Sequence, residues 1–177
     1  MLELASAAIR KRVLRGRRLR LALEDVEQLV SRSGVTALDV RQASERHQAI
    51  EVTMRLSLDE LGSAENQALV DTAIFPEDTD IPLSALAKLW NVDLARATGL
   101  AELFADFTLV RLDLNSSTVR IHDVIRQYLS EQLLDGKSVY RRLVAAWGDV
   151  YELPDDYAWA WIGFHLHGGD MRKELRA

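Results

Sequence analysis

The spacing of apolar residues predicts a helical N-terminal part. Over residues 1–62, Leu, Ala, Ile and Val recur at intervals of three and four, which places them on one side of a helix. Glycines follow the predicted helices, at positions where the left-handed conformation commonly ends a helix. We therefore predict a helical domain over residues 1–62. Its helices cover about 2–15, 19–33 and 42–61.

After Gly62 the pattern changes to three short helices followed by two alternating runs. Ser63 is predicted to cap the first helix, Pro82 to stand in the first turn of the second, and Asp93 to cap the third. The acidic stretch FPEDTDIP between the first two helices is predicted to be irregular. Three helices and then a hairpin is the order of a winged helix, which we predict over residues 63–134. The helices cover 64–74, 83–90 and 93–107, and the hairpin strands cover 109–114 and 118–122.

A further helical segment is predicted after the winged helix. A helix over 123–134 leads out of the hairpin, and LDGKS separates it from another over about 138–151. An aromatic-rich stretch begins after Pro154. We therefore predict a third domain over residues 135–177 and a mainly α fold class, with a helical bundle, a winged-helix domain with a small β-hairpin wing, and a further helical segment. Because helical patterns run to both ends of the sequence, we expect the chain to be part of a longer protein.

The distribution of charge argues against a nucleic-acid partner. The formal net charge is −5, and the first 20 residues hold seven of the 22 basic side chains but one of the 27 acidic ones. The remainder is therefore strongly acidic. The predicted third helix carries Arg96 together with three acids, whereas a helix that reads a DNA groove needs cations for phosphates and donors for base edges. A winged-helix DNA-binding transcription regulator is thus the alternative to a module that packs against protein.

Composition excludes cysteine chemistry and a membrane span. The chain has no cysteine, so it forms no disulfide, thiolate nucleophile or zinc–thiolate site. No apolar run approaches the roughly 20 residues needed to cross a bilayer. Both observations fit a cytoplasmic protein that does not use a membrane as partner.

One short motif resembles a phosphate-binding loop without meeting its requirements. Gly136-Lys137-Ser138 resembles the end of a P-loop, which needs a second glycine five residues earlier and a preceding strand. Glu131 occupies that earlier position, and the preceding segment has a helical pattern. We therefore predict an interhelical turn and no catalytic residue.

Two histidines near the C-terminus suggest a metal site, but their spacing does not favour one. His165 and His167 lie close to Asp170, yet residues i and i+2 point about 200° apart on a helix. We predict no metal site and two partly exposed histidines in a packing helix. The tryptophans are predicted to be core or interface anchors rather than part of a cofactor site. They are Trp90, Trp147, Trp159 and Trp161.

The stretch VRIHDVIRQYL places His122 and Asp123 between a strand pattern and an amphipathic helix. The pair is compatible with a catalytic dyad, a metal site, a helix cap or a sensor for an anion. A side chain beside a helix N-terminus is well placed to meet an anion, because unpaired N–H groups and the helix dipole favour negative charge there. Asp123 is best interpreted as the N-cap of helix 124–134. The simpler alternative is that His122 only caps or packs.

The winged-helix region resembles the NB-ARC family of signal-transduction ATPases, also known as AP-ATPases and included in the STAND class. The resemblance rests on LVDTAIFPEDTDIPLSALAKLW and LAELFADFTLVRLDLNSSTVRIHDVIRQYL, in which Ile121-His122-Asp123 stands where the family has Met-His-Asp. SLDEL resembles the end of the family's helical domain. DDYAWAWIGFHLHGGDMRKEL resembles the start of the α-helical superhelix in the apoptosis branch, whose members often end in WD-repeat propellers.

The resemblance implies a role for His122 and for nucleotide. In the family, this histidine contacts the β-phosphate of ADP across a domain boundary and holds the closed, inactive state. The chain itself contains no P-loop or Walker B carboxylate, so we expect no enzyme activity from it. We expect ADP or ATP in the full-length ATPase, and no cofactor on this chain alone. The expected partners are an upstream nucleotide-binding domain, a downstream repeat domain, which the family suggests is a WD propeller, and further copies of the protein.

Overall fold

The computed structural model describes residues 60–171 continuously, and Leu58 just before them. Four positions within the first 21 residues are also described, each as helical. The helices predicted over 1–62 and the end of the chain from 172 therefore lie largely outside the described residues. The proposed division into three domains stays a prediction.

Residues 60–171 form a mainly helical structure with a small antiparallel sheet, which confirms the predicted fold class. Helix, strand, helix, helix and hairpin follow one another in a winged-helix-like order, and three more helices come after the hairpin. The helices are α1 (Ser63–Asp71), α2 (Leu83–Trp90), α3 (Leu94–Asp106), α4 (Asp123–Gln132), α5 (Gly136–Trp147) and α6 (Asp156–Gly168). A 3-10 turn covers Thr72–Ile74, and the strands are β1 (Ile81–Pro82), β2 (Arg111–Asp113) and β3 (Thr118–Arg120).

The sheet contains one strand that the sequence did not predict. Its order is β1-β3-β2, with both neighbours of β3 antiparallel to it. Ile81 and Leu112 both lie opposite Val119, on either side of it. FPEDTDIP is therefore not irregular throughout, because its last two residues pair with the wing. A two-residue strand that ends in proline has no alternating pattern and one N–H fewer to donate, so sequence gives little signal for it.

Aromatic and aliphatic side chains from all of these elements form one core. The largest fully buried side chains come from helices α1 to α5, the 3-10 turn region, β1 and the segment before β2. They include Phe75, Phe104, Phe107, Ile74, Leu86, Leu89 and Leu109. The hydrophobic cluster continues without a break into α5 and α6, through Leu143, Trp147 and Leu166. The helical hairpin therefore packs on the winged-helix part instead of standing apart from it.

Local caps explain where several helices start and stop. Asp93 caps α3 as predicted, because its carboxylate accepts a hydrogen bond from the Arg96 N–H at 2.7 Å. Ser63 is not a cap: α1 starts at Ser63 itself, and Gly62 occupies the N-cap position without a side-chain hydrogen bond. The helix predicted over 138–151 runs from Gly136 to Trp147, with Asp135 as its cap through the Ser138 N–H at 3.1 Å.

The C-terminal end of α3 is a Schellman motif built on an unfavourable residue. Thr108 has φ of 58°, its N–H donates to Ala105 O at 2.8 Å, and the Leu109 N–H donates to Phe104 O at 3.0 Å. The equivalent position at the end of α2 is Asn91, with φ of 53°. Asparagine tolerates this left-handed backbone, whereas a β-branched residue is strained in it.

The tryptophans divide between core and surface. Trp147 is buried, and the Trp90 indole N–H donates to Ala68 O at 2.8 Å while its ring packs on the core. Trp161 also packs on the core, but Trp159 is 54% exposed. Among the described residues, no helix is both long and apolar enough to cross a membrane.

Candidate anion-sensing site

The geometry around His122 starts from the end of β3. Val119 and Ile121 are buried at 2% and 5% exposure, so the strand is held in the core up to the residue before His122. His122 itself is exposed and occupies the N-cap position of α4, with φ of −69° and ψ of 140°. Its side chain makes no capping hydrogen bond, and its carbonyl accepts from the Arg126 N–H at 2.9 Å. The imidazole is therefore presented at a helix N-terminus without being used by that helix.

Asp123 is not the N-cap that the sequence predicted. The helix begins at Asp123, which lies in the first turn, one position after the cap. Its carboxylate still stabilises α4 there, because negative charge is favourable near the unpaired N–H groups of a helix start. The same charge disfavours a second anion at this helix end. An anion that approached His122 would therefore need further cationic or N–H partners.

Two arginines hold the strand–helix junction in place. Arg120, at the end of β3, makes two hydrogen bonds of 2.8 Å to the Asp80 carboxylate, just before β1. That contact holds the pKa of Asp80 below its ordinary value. Arg126, in the second turn of α4, donates to Phe75 O at 3.5 Å and pairs with Glu77. No local pattern predicts these contacts, since each joins residues 40 or more positions apart.

The P-loop-like motif lies in the first turn of a helix, so the interhelical turn predicted for Gly136-Lys137-Ser138 is wrong at these residues. Gly136, Lys137 and Ser138 form the first turn of α5, and the element before them is α4 rather than a strand. The interhelical turn is the short stretch 133–135 that precedes them. Lys137 pairs with Asp170 at 3.2 Å, 33 residues later in the chain.

The two histidines of α6 differ from the prediction. His167 is exposed, but His165 is fully buried at 0% exposure, so it is not partly exposed. Burial lowers the pKa of His165 to about 4. No group of three or more His, Asp and Glu side chains able to hold a metal ion occurs within the described part of the chain. Five aromatic rings have centroids between 5.2 and 6.3 Å from the His165 ring, namely Trp147, Phe164, Phe75, Tyr140 and Tyr157.

Helix α3 has the surface of a packing helix rather than a DNA reader. Its exposed positions include Leu94, at 55%, and the acids Glu102 and Asp106. Its one basic residue, Arg96, lies 3.7 Å from Glu65 on α1. These side chains do not provide the cations that phosphate contacts require.

The fold and the junction define a winged-helix-like, mainly helical region with an exposed histidine at the start of the helix that follows the wing. No protein-family model matches the sequence. The chain is similar to Apoptotic protease-activating factor 1 of Danio rerio, with 23% identity over 146 residues, which cover 76% of this chain and 12% of that protein. The human and mouse factors of the same name are 22% identical over 151 residues, covering 77% of this chain and 12% of each. The chain therefore resembles, distantly, one region of much longer relatives.

Proposed function

We propose that this chain is the regulatory helical and winged-helix part of a signal-transduction ATPase of the NB-ARC type, switched by its bound nucleotide. In this proposal, His122 donates a hydrogen bond to a phosphate of ADP that another domain of the same protein holds. The contact stabilises a closed state and restrains assembly into oligomers. The protein would act in the cytoplasm, and this region would bind and orient rather than catalyse.

The observation that carries the proposal is the unused imidazole of His122. It lies at the start of α4, exposed, with no capping hydrogen bond to its own helix. An imidazole N–H is a suitable donor to a phosphate oxygen, and the adjacent backbone N–H groups favour negative charge. Buried Ile121 and the Arg120–Asp80 contact fix the backbone on the strand side. The distant similarity to apoptosis factors supports the same reading.

The size of the expected interaction limits what His122 does alone. One hydrogen bond to a charged group contributes about 1.5–3 kcal/mol. Moving a two-state switch from 1:99 to 99:1 takes about 5.5 kcal/mol of differential binding. Packing between this region and the nucleotide-binding domain must therefore supply the remainder. His122 senses the nucleotide, and the surfaces around it hold the closed state.

A comparison of histidine variants tests this function. The full-length protein is purified as wild type, as His122→Ala and as His167→Ala, which removes an exposed histidine on α6 instead. We expect the first variant to retain less co-purified ADP and to assemble more readily, and the control to behave as wild type. Equal ADP content and equal assembly in all three proteins would refute the proposal.

A further inference from the structure

Helix α6 has an apolar face on each side, although the described residues cover only one of them. Its inner face contacts the core through Tyr157, Ala158, His165 and Leu166, each at most 9% exposed. The opposite side is also largely apolar. We call this side the outer face of α6, and it consists of Trp159, Ala160, Gly163, Phe164 and His167, all exposed. A helix that is apolar all round is normally covered on all sides.

The middle of the outer face is a gap between two aromatic side chains. Trp159 is 54% and Phe164 39% exposed, while Ala160 and Gly163 lie between them on the helix surface. A Cβ added to Gly163 would meet no atom within 4 Å. Glycine is less favourable than alanine inside a helix, and the packing of the described residues does not require it here. Its absent side chain lets another backbone approach closely.

Charge differs between the two ends of α6. The exposed acids Asp149, Glu152 and Asp156 lie at or before its N-terminus. Exposed Lys137 and Arg141 of α5 lie beside the C-terminus of α6. There Lys137 pairs with Asp170, and the Arg141 guanidinium donates to Gly169 O at 2.8 Å. The helix dipole is positive at the N-terminus, where the acids lie, and negative at the C-terminus, where the bases lie. The side-chain charges therefore oppose the dipole at both ends.

We propose that the outer face of α6 binds the same face of a second copy of this chain, with the two helices antiparallel and crossing at Gly163. Trp159, Gly163 and His167 are spaced by four residues and form one row along the helix. A two-fold axis at Gly163 places Trp159 of each copy opposite His167 of the second copy. It also places the acidic end of each helix beside the end of the other that carries Lys137 and Arg141, with Asp156 near the Lys137–Asp170 pair of the second copy.

The pairing explains the glycine, the exposed tryptophan and the charge pattern together. A two-fold interface requires one surface to be complementary to itself. Here Gly163 of each copy faces Gly163 of the second copy, which lets the helices approach, and the Trp159 ring faces His167. One helix from each copy buries an area at the low end for specific complexes, below about 1,200 Å² in total. We therefore expect a weak dimer, with a dissociation constant of about a micromolar or more. This inference does not depend on the proposed function.

Sedimentation equilibrium of the 177-residue chain, from low to high micromolar concentration, tests the pairing. We expect the average mass to rise toward that of a dimer. Gly163→Leu should remove this rise without unfolding the chain, because the site is open in the single copy. Gly99→Leu is the matched control, since Gly99 is an exposed glycine inside α3 that also has no atom within 4 Å of an added Cβ. A wild-type chain that stays monomeric, or a Gly163→Leu variant that dimerises like Gly99→Leu, would overturn the proposal.

Charge exchange tests the orientation of the two helices. Asp156→Lys and Lys137→Glu should each weaken the dimer, by about three- to tenfold, since exposed pairs are weak and each dimer contains two of them. The double variant restores opposite charges between copies, and we expect its dissociation constant to return toward the wild-type value. Additive weakening in the double variant would contradict the antiparallel arrangement.

Discussion

Replacing His165 by leucine should remove most of the pH dependence of stability between pH 7 and 5. His165 is fully buried, and its ring lies among five aromatic rings from α5, α6 and the segment after the 3-10 turn. Its Nδ1 has no hydrogen-bond partner among the described residues, and its Nε2 lies 3.5 Å from the Tyr157 hydroxyl. A charged imidazole would therefore be poorly solvated, and burial lowers the pKa of His165 to about 4.

The sign and size follow from proton linkage. The unfolded chain binds a proton at His165 near pH 6.5, whereas the folded protein resists it down to about pH 4. Stability is therefore full above pH 6.5 and falls as pH decreases toward 4, because the unfolded state binds more protons. The total loss is about 3 kcal/mol, of which about 2 kcal/mol falls between pH 7 and 5. Asp80 and Asp113 have pKa values below 3.8, so they contribute at lower pH.

Urea denaturation at pH 7, 6 and 5 measures this effect. Wild type should lose about 2 kcal/mol of unfolding free energy over this range through His165, and His165→Leu should lack that contribution. His167→Leu removes an exposed histidine two residues away and should retain the wild-type slope. A His165→Leu variant that loses stability with pH as steeply as His167→Leu would show that His165 does not cause the pH dependence.

Three further outcomes follow from the structure. Thr108→Gly should raise the free energy of unfolding by about 1 kcal/mol, and Asn91→Thr should lower it by a similar amount, because both positions have positive φ. Urea denaturation measures both changes, and no change in either variant would contradict backbone strain at these positions. Arg142→Ala should lower the free energy of unfolding by about 2–3 kcal/mol, because the Asp71 side chain is 7% exposed and would lose its cation. Asp71→Ala should lower it by about 1 kcal/mol, because the Arg142 side chain that is left unpaired is 47% exposed. The reverse order in thermal denaturation would contradict this difference in burial. In a low-salt titration with duplex DNA, the acidic α3 should give no sub-micromolar binding, and tight binding with a steep salt dependence would support a regulator instead.

The regular part of the fold could be predicted because its signals are local. The α3 helix has an aspartate cap and helical spacing, and the wing has two alternating runs joined by a polar turn. Strand β1 was missed because its pairing with β3 depends on residues nearly 40 positions later. The burial of His165 was missed for a similar reason, since its surroundings include Phe75 and Trp147 from other elements. A single helix pattern contains no information about such neighbours.

The candidate site was predicted in position but not in detail. The change from strand to helix pattern located His122 at the junction, where the structure has it. The capping role assigned to Asp123 was wrong by one residue, because the helix starts at Asp123 itself and His122 occupies the N-cap position. The supporting contacts of Arg120 and Arg126 join distant segments and became visible in three dimensions. The phosphate partner of His122 stays a prediction, since it depends on the surface that faces the histidine.

The rate of ADP release from the full-length protein measures whether His122 contacts the bound nucleotide. A fluorescent ADP analogue is bound, chased with excess unlabelled ADP, and followed over time for wild type and for His122→Ala. Loss of one hydrogen bond to a charged group, about 1.5–3 kcal/mol, predicts release that is faster by about tenfold to a hundredfold. Release at the wild-type rate from His122→Ala would contradict a role for His122 in sensing the nucleotide.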